Sequence, residues 1–414
     1  MVRRSAVTSW ILYDMANTVF SFSIVSLFFP LYLQDEFGLP DSAFAIANSA
    51  AIAVMLFISP ALGALSDRAR RRIPFLIGST MACVMATFPL GFVAWPVAVV
   101  LFGVANIGFL SGLIFYDALL PVVSNASNRG RIGAIGVAIG YLGSLAGLGI
   151  GRWILAGDET RDAWVFVAAA GLFLVLALPS FFLIREKRSN EPRPALREVL
   201  QITRSSFVGV GRLLSGKEEP RIGRFLLARV FYSDAVNTMI LFMGIYVKGE
   251  LGMTDGQISL VLLSGILGAA AIAPLWGMAV DRFGAVATLR VVLVCWLIGL
   301  TAAIGIPLAG APAYWFFPTA AFLGASLGGT WSADRPLMIR LAPPERIGEF
   351  YGYYGMVGRF SAIAGPLAWA LIVDGLGWGR QAAVATLMVF VIFALFILRK
   401  LRTDGPASST APAA

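Results

Sequence analysis

The sequence predicts an all-α polytopic membrane protein, with about twelve transmembrane helices in two six-helix, pseudo-symmetric bundles. Three observations carry this. Apolar residues fall in blocks long enough to cross a hydrocarbon core of ~30 Å. The loops between the blocks alternate between arginine-rich and acidic. Motifs of the first half recur in the same order in the second.

The blocks stand out because polar residues are scarce. Of 414 residues, 58% are hydrophobic and 13% charged, whereas a soluble domain carries roughly 25% charged residues. Too few polar side chains remain to cover a water-exposed surface. The first-half blocks are 9–33, 42–65, 73–94, 96–121, 132–156 and 163–184. Those of the second half are 222–247, 257–280, 286–308, 313–341, 347–373 and 381–398. Backbone groups in lipid must be satisfied within their own segment, so the blocks are helices. A membrane barrel would show alternating segments of ~10 residues instead. Arg3 and Arg4 precede the first block as in a signal peptide. The block is too long, holds Asp14 and lacks a small-residue cleavage site, so an uncleaved span is expected.

Loop charge sets the expected orientation. One set of loops carries Arg3 and Arg4, Arg68 to Arg72, Arg129 and Arg131, Arg282, Arg346, and Arg399 to Arg402; the other carries Asp35, Glu36, Asp41, Asp158, Glu159, Asp162 and Asp255. The positive-inside rule places both termini and the central connection in the cytoplasm, as expected for a multi-pass protein of a bacterial cytoplasmic (inner) membrane. The net charge of +9 is spread over these loops, so no nucleic-acid partner is expected. Cys83 and Cys295 each lie inside an apolar block, without metal-ligand spacing. No metal and no cofactor are expected.

The domains read as an N-terminal bundle (1–184), a cytoplasmic connection (185–221), a C-terminal bundle (222–400) and a disordered tail (401–414). Within the connection Leu196, Val199, Leu200, Phe207 and Leu214 share one helical face and Arg197, Arg204 and Arg212 the other. This pattern predicts an amphipathic helix on the inner membrane surface, tethering the halves. The tail is rich in Pro, Ala, Ser and Thr.

Four correspondences define the repeat. Asp14-Met-Ala-Asn17-Thr18 returns as Asp234-Ala-Val-Asn237-Thr238, and Gly63-Ala-Leu-Ser-Asp67-Arg68 as Gly277-Met-Ala-Val-Asp281-Arg282. Arg131-Ile-Gly133 returns as Arg346-Ile-Gly348, and Cys83 as Cys295. The offsets lie between 212 (83 to 295) and 220 (14 to 234). Equivalent segments run in the same direction, so the repeat is parallel, with a site expected near the midplane between its copies.

The segment Gly63-Ala-Leu-Ser-Asp67-Arg68-Ala-Arg70-Arg71-Arg72 resembles the signature loop of the major facilitator superfamily, roughly G-x-L-x-D-R-x-G-R-R. Ala69-Arg70 stands where that family prefers x-Gly; the second copy has Phe283-Gly284. The resemblance implies the major facilitator fold, with Gly63, Asp67, Arg68, Arg71, Arg72, Gly277, Asp281 and Arg282 forming the cytoplasmic signature loops. Trp10-Ile-Leu-Tyr13-Asp14-Met-Ala-Asn17-Thr18-Val-Phe20 and Phe115-Tyr116-Asp117-Ala-Leu-Leu-Pro121 further resemble the Y-D-W-A-N-S-x-F and F-Y-N-x-L-L-P segments of the autophagy-related vacuole effluxers. Met15 replaces a Trp and Asp117 an Asn. Fungal vacuolar members are linked to amino-acid efflux, which the resemblance extends to this chain as an expectation.

Ionisable groups at membrane depth are functional candidates by default. Asp14 with Asn17, and Asp234 with Asn237, each share a helical face, and the repeat directs both pairs toward one cavity. There they can hold a proton, a cation or a substrate amine, or simply tie helices together. Arg359, near the midplane, can pair with Asp234 or bind a carboxylate, and Arg229 is the competing partner. Tyr13, Tyr116 and Tyr232 are candidate cavity residues. Asp117, Asp334 and Arg335 are candidate gate or anchor charges. Glycines at 133, 136, 140, 143, 147 and 151, echoed at 348, 352, 355 and 358, permit close helix contacts.

No Walker-type glycine loop is present. The chain therefore reads as a gradient-driven secondary transporter of a small solute rather than an enzyme. Its expected partners are membrane lipids, a small-molecule substrate and a coupling proton or cation, and a monomer is expected. With no histidine, proton coupling falls to buried carboxylates. A multidrug exporter of the same fold and a non-transporting receptor or scaffold remain alternatives; span five lacks the Gly-Pro pair of drug–proton antiporters.

Overall fold

The computed structural model describes residues 4–68, 71–124, 129–155, 162–186, 196–343 and 346–401. Arg3, Arg70, Asp158, Glu159, Arg161, the connection at 187–195 and the tail from 402 onward lie outside the described residues, as do the side chains of Asp67 and Arg68.

The chain is a bundle of long helices. In the first group are α1 (Arg4–Phe37), α2 (Asp41–Arg68), α3 (Ile73–Thr87), α4 (Trp95–Val123), α5 (Arg129–Leu155) and α6 (Asp162–Leu183). The amphipathic α7 (Leu196–Leu214) follows. The second group comprises α8 (Pro220–Leu251), α9 (Asp255–Phe283), α10 (Ala285–Leu308), α11 (Phe316–Leu341), α12 (Ile347–Ala370) and α13 (Gly379–Arg399). Among the described residues, ten helices are long and apolar enough to cross a membrane. The fifth and tenth positions of the bundle, α5 and α11, fall short of that measure. In α5 the described apolar stretch is the shorter Ile139–Leu155, and α11 carries Gly, Ser and Thr through its middle and Asp334, Arg335 and Arg340 toward its end.

Helix ends follow local chemistry. Gly38 and Gly252, at φ 61° and 59°, end α1 and α8 in the left-handed conformation that glycine adopts without a Cβ penalty. Thr254 and Gln257 form a reciprocal capping box at the start of α9. Glu186 accepts from the backbone N–H groups of Arg72 and Ile73 at 2.6 and 2.9 Å, capping α3 from the end of α6.

Each group packs around its own first helix. In the first, α1 lies against α5 and α6, and α4 bridges α2 and α3; in the second, α8 lies against α12 and α13, and α11 bridges α9 and α10. Small residues bring α5 onto α1. A Cβ on Gly140 would sit 3.0 Å from the Asp14 carboxylate, and one on Gly143 would collide with the Met15 carbonyl. Stacked rings fill wider gaps, Phe29 on Phe102 at 4.3 Å and Phe242 on Trp369 at 4.6 Å.

Both chain ends lie at one face of the bundle, since Ser180 near the end of α6 donates to the Ser9 carbonyl and Arg290 near the start of α10 donates to the Leu398 carbonyl. The groups meet along α2 and α12 and, less extensively, along α5 and α9. Among the described residues, every side-chain hydrogen bond directly joining them is far from the chain ends. Asp41 accepts from Arg380 at 2.8 and 2.9 Å and from Trp369 at 2.9 Å. Lys248 donates to Asp35 at 2.5 Å, and Asp374 accepts from the Ser42 amide at 2.6 Å. About two turns deeper along α2, Ser49 donates to the Ile363 carbonyl. The far end is therefore closed by charge pairs.

Candidate functional site

The middle of α1 departs from α-helical geometry. Val19–Phe28 forms a π-helix, closed by the Phe29 N–H donating to the carbonyl five residues back, at Ile24, and the Ser26 hydroxyl donates to the Ser21 carbonyl. Such widened turns recur at functional sites. This one opens onto a cavity of about 290 Å³ between the two groups. One wall carries hydroxyls from α1 and α5, including Thr18, Ser21, Ser26, Tyr141 and Ser144; the other is apolar, from α8, α9 and α11.

Next to this cavity, on the side of the chain ends, lie four charges. Asp14 of α1 interacts electrostatically with Arg335 of α11, and Asp117 of α4 with both Arg335 and Arg359 of α12. Tyr141 links them to the cavity wall through its interactions with Asp14 and Arg335. Asp117 and Arg335 are exposed, whereas Asp14 and Arg359 are half-buried. These charges lie within one another's electrostatic reach, and among the described residues none of the four forms an ion pair within 4 Å.

The tyrosines of the first group order this region. Trp10 stacks on Tyr116 at 4.5 Å and donates to its carbonyl, and Tyr13 stacks on Tyr116 while its hydroxyl meets Thr80 at 2.7 Å. The Tyr116 hydroxyl is electrostatically coupled to Asp14 but outside hydrogen-bond geometry. Asn17 is buried with neither amide atom hydrogen-bonded. A buried polar group in that condition is costly.

The second group uses its charges differently. Asp334 is fully buried and accepts from Arg229 at 3.0 Å, Tyr232 at 2.7 Å and Tyr354 at 2.8 Å. Arg229 also donates to the Tyr354 carbonyl and lies 3.6 Å over its ring. Charge and hydrogen bonds are mutually satisfied, the condition under which a buried pair holds helices together. Tyr232 belongs to this cluster rather than to the cavity wall, and Arg229 serves Asp334 rather than Asp234.

Asp234 is 2% exposed and accepts one hydrogen bond, from the Gly365 amide at 2.7 Å. Gly365 is where a side chain would not fit, since a Cβ would lie 2.6 Å from that carboxylate. The expected contact of Asp234 with Arg359 is not formed. Gly365 and Arg359 stand six residues apart on α12, about 240° around the helix, so they face different neighbours. Asn237 is half-buried beside the same region. The D-x-x-N-T copies thus occupy equivalent helices, but only Asp14 lies among the four charges.

Gly277, Asp281 and Arg282 lie at the end of α9, the last two exposed; Gly63 is half-buried within α2, and Arg71 and Arg72 immediately precede α3. The paired charges that close the far end, Asp41 with Arg380 and Asp35 with Lys248, were not among the sequence candidates. Their signal was available, as opposite charges in far-side loops of opposite halves.

In fold, the chain resembles the nucleoside transporter NupG at a TM-score of 0.76, with 10% identity and 97% and 100% of the two chains covered. It resembles a D-xylose–proton symporter at 0.73, with 14% identity and 97% of each chain covered. In sequence it is 28% identical over 400 residues to YxiO of Bacillus subtilis (strain 168), described as an uncharacterized MFS-type transporter, covering 93% of this chain and 92% of that one. Autophagy-related protein 22-2 of Aspergillus oryzae is 28% identical over 203 residues, 44% of this chain and 33% of the relative. The family model for Vacuole effluxer Atg22 like proteins matches residues 40–404. The chain belongs to that family of major-facilitator-type membrane transporters.

Proposed function

We propose that the chain is a proton-driven secondary transporter of a bacterial cytoplasmic membrane that exports a small amphiphilic solute of the amino-acid class by alternating access. The observation that carries this reading is the cavity between two helix groups, together with a nearby set of two carboxylates and two guanidiniums that Tyr141 of its wall senses. An apolar body fits the wall of α8, α9 and α11, while an ammonium group meets Asp14 or Asp117 and a carboxylate meets Arg335 or Arg359. The volume of about 290 Å³ lies just below the ~300–1,000 Å³ typical of pockets for drug-sized ligands, which favours a solute smaller than most drugs. With the chain ends in the cytoplasm, the closed far end and the exposed charges on the side of the chain ends correspond to an inward-facing state. Residues 1–184 and 222–400 then rock as units around the cavity.

Asp234 is the proposed proton site. An ionised carboxylate there would stand buried without a cation beside it, which is costly; a proton removes that cost. Movement of α12 against α8 would change its surroundings and drive release.

The test is flux into proteoliposomes. Labelled apolar amino acids should accumulate under an imposed pH gradient, and collapsing the gradient should abolish accumulation. Flux or thermal stabilisation by nucleosides or sugars and by no amino acid overturns the substrate assignment; accumulation indifferent to the pH gradient overturns the coupling. The apolar wall leaves a hydrophobic drug as second reading, supported by stabilisation with hydrophobic cations alone. For orientation, a Cys-free protein carrying Ser215→Cys should resist an impermeant thiol reagent in intact cells, whereas Tyr314→Cys should react.

A further inference from the structure

The transport reading leaves unused a basic pocket of about 390 Å³ between α7 and the start of α12. From α7 it takes Gln201, Arg204, Ser205, Val208 and Arg212, spaced three or four residues apart and hence on one face. From the other side come Arg346, Glu218 and Tyr353. Three guanidiniums and one carboxylate leave a formal charge of +2. Glu218 is committed to Arg346 at 2.9 Å, and Arg346 lies 4.9 Å over the Phe350 ring. Arg204 and Arg212, both exposed, have no carboxylate partner among the described residues.

The position of α7 gives the pocket its meaning. Phe207 stacks on Phe57 of α2 at 5.4 Å, Leu213 is fully buried, and Gly209 lets the Tyr353 hydroxyl approach the α7 backbone. The helix is thus seated on the bundle, touching α2 of one group and α8 and α12 of the other. It lies at the end where no direct side-chain hydrogen bond joins the groups among the described residues. Val208 is 45% exposed beside the pocket mouth, so an acyl chain and a headgroup can be met together.

We propose that Arg204, Arg212 and Arg346 form a binding site for a phosphate-bearing anion, supplied in the membrane by the headgroup of an anionic phospholipid. Guanidiniums match phosphate oxygens with paired N–H donors, and a basic pocket between helices at the membrane surface is a known setting for anionic headgroups. A phosphate there supplies the counter-charge that two exposed arginines lack among the described residues, and fastens α7 to α12.

The experiment uses the purified full-length chain in detergent, with thermal unfolding as readout. Phosphatidylglycerol should raise the melting temperature by several degrees, and phosphatidylcholine should not. The Arg204→Gln/Arg212→Gln variant should lose at least half of that shift. Arg399→Gln/Lys400→Gln, which removes equal charge elsewhere at the same end, should retain it. Stabilisation by inorganic phosphate, with no added effect of phosphatidylglycerol, assigns the pocket to a soluble anion and leaves the chemistry standing. A full shift in the Arg204/Arg212 variant, or no shift in the wild type with either probe, overturns the proposal. Should the double variant fail to fold, a phosphatidylglycerol analogue with a photoreactive headgroup, applied to the wild type, must label residues within 196–214 or 346–353; labelling confined to other segments is equally fatal.

Discussion

Asp14 and Asp234 open the same five-residue motif on equivalent helices, yet they face different surroundings. Asp14 stands half-buried within the fields of Asp117 and Arg335. Asp234 is buried against α12, held by one backbone amide. The cation that might have served Asp234, Arg229, is five residues earlier on the same helix and is taken by Asp334. A repeated motif therefore fixes helix position and the available functional group, while neighbours from other helices fix the chemistry. In the proposed mechanism one copy meets a charged solute and the other carries a proton.

The comparison breaks first at Asp334. Asp334→Ala strands Arg229 in the interior, and losing one partner of a buried pair costs about 3–5 kcal/mol. Chemical denaturation in detergent should show a loss of that size, whereas Asp117→Ala, at an exposed position, should cost far less. Equal losses would mean that the two groups do not divide their charges into structural and functional sets.

The next effect concerns transport. Asp234→Asn should lower pH-driven accumulation at least tenfold, about 1.4 kcal/mol or more, while substrate exchange persists. Its accumulation should also become independent of pH. Asp14→Asn should instead raise the substrate concentration needed for half-maximal exchange. If Asp234→Asn accumulates substrate normally, the proton site lies elsewhere, with Asp14 the next to examine and sodium the alternative coupling ion.

Arg359 sharpens the picture further. Arg359→Lys keeps the charge but loses the planar fork, so it should weaken exchange by several-fold and leave melting unchanged. A large melting shift would make it a structural cation.

Glycine contacts give a smaller, paired prediction. Gly140→Ala places a methyl 3.0 Å from Asp14 and 3.1 Å from Thr18, an overpacking that costs about 1–3 kcal/mol. Gly352→Ala meets nothing within 4 Å and should be neutral or stabilise by about 0.5–1 kcal/mol through helix propensity.

A last effect, read out chiefly as opening rather than as stability, falls at the far end. Asp41→Asn weakens a bidentate pair between a buried carboxylate and an arginine that is 24% exposed, a charged hydrogen-bond loss of about 1.5–3 kcal/mol. Its readout is faster labelling of cysteines introduced near Ser42, as the far end opens more often.

What was legible in the sequence follows from physics acting along the chain. Apolar block length forces membrane helices, and the D-x-x-N-T and G-x-x-x-D-R repeats place two equivalent halves. The amphipathic α7 was legible because it lies where water and apolar surface meet, and only there does periodicity reveal a face. Asp14, Asp117 and Arg359 were legible as charges at membrane depth. The π-helical stretch at Val19–Phe28 carries neither glycine nor proline, and its three serines, Ser21, Ser23 and Ser26, are common in membrane helices and do not announce it.

The sequence by itself determined that the chain is built of long apolar membrane helices, that motifs of its first half recur in its second, and which ionisable groups lie within those helices. Only the tertiary structure decided who partners whom: Arg229 with Asp334 across 105 residues, Asp234 with Gly365 across 131, and Asp41 with Arg380 across 339. The reason is the solvent. Lipid tails are as apolar as the faces that helices bury against one another, so the hydrophobic pattern of a span does not say which side meets protein. Helix rotation, and with it the choice of partner for each charge, is set by small residues, ring stacking and hydrogen bonds between segments far apart in the chain.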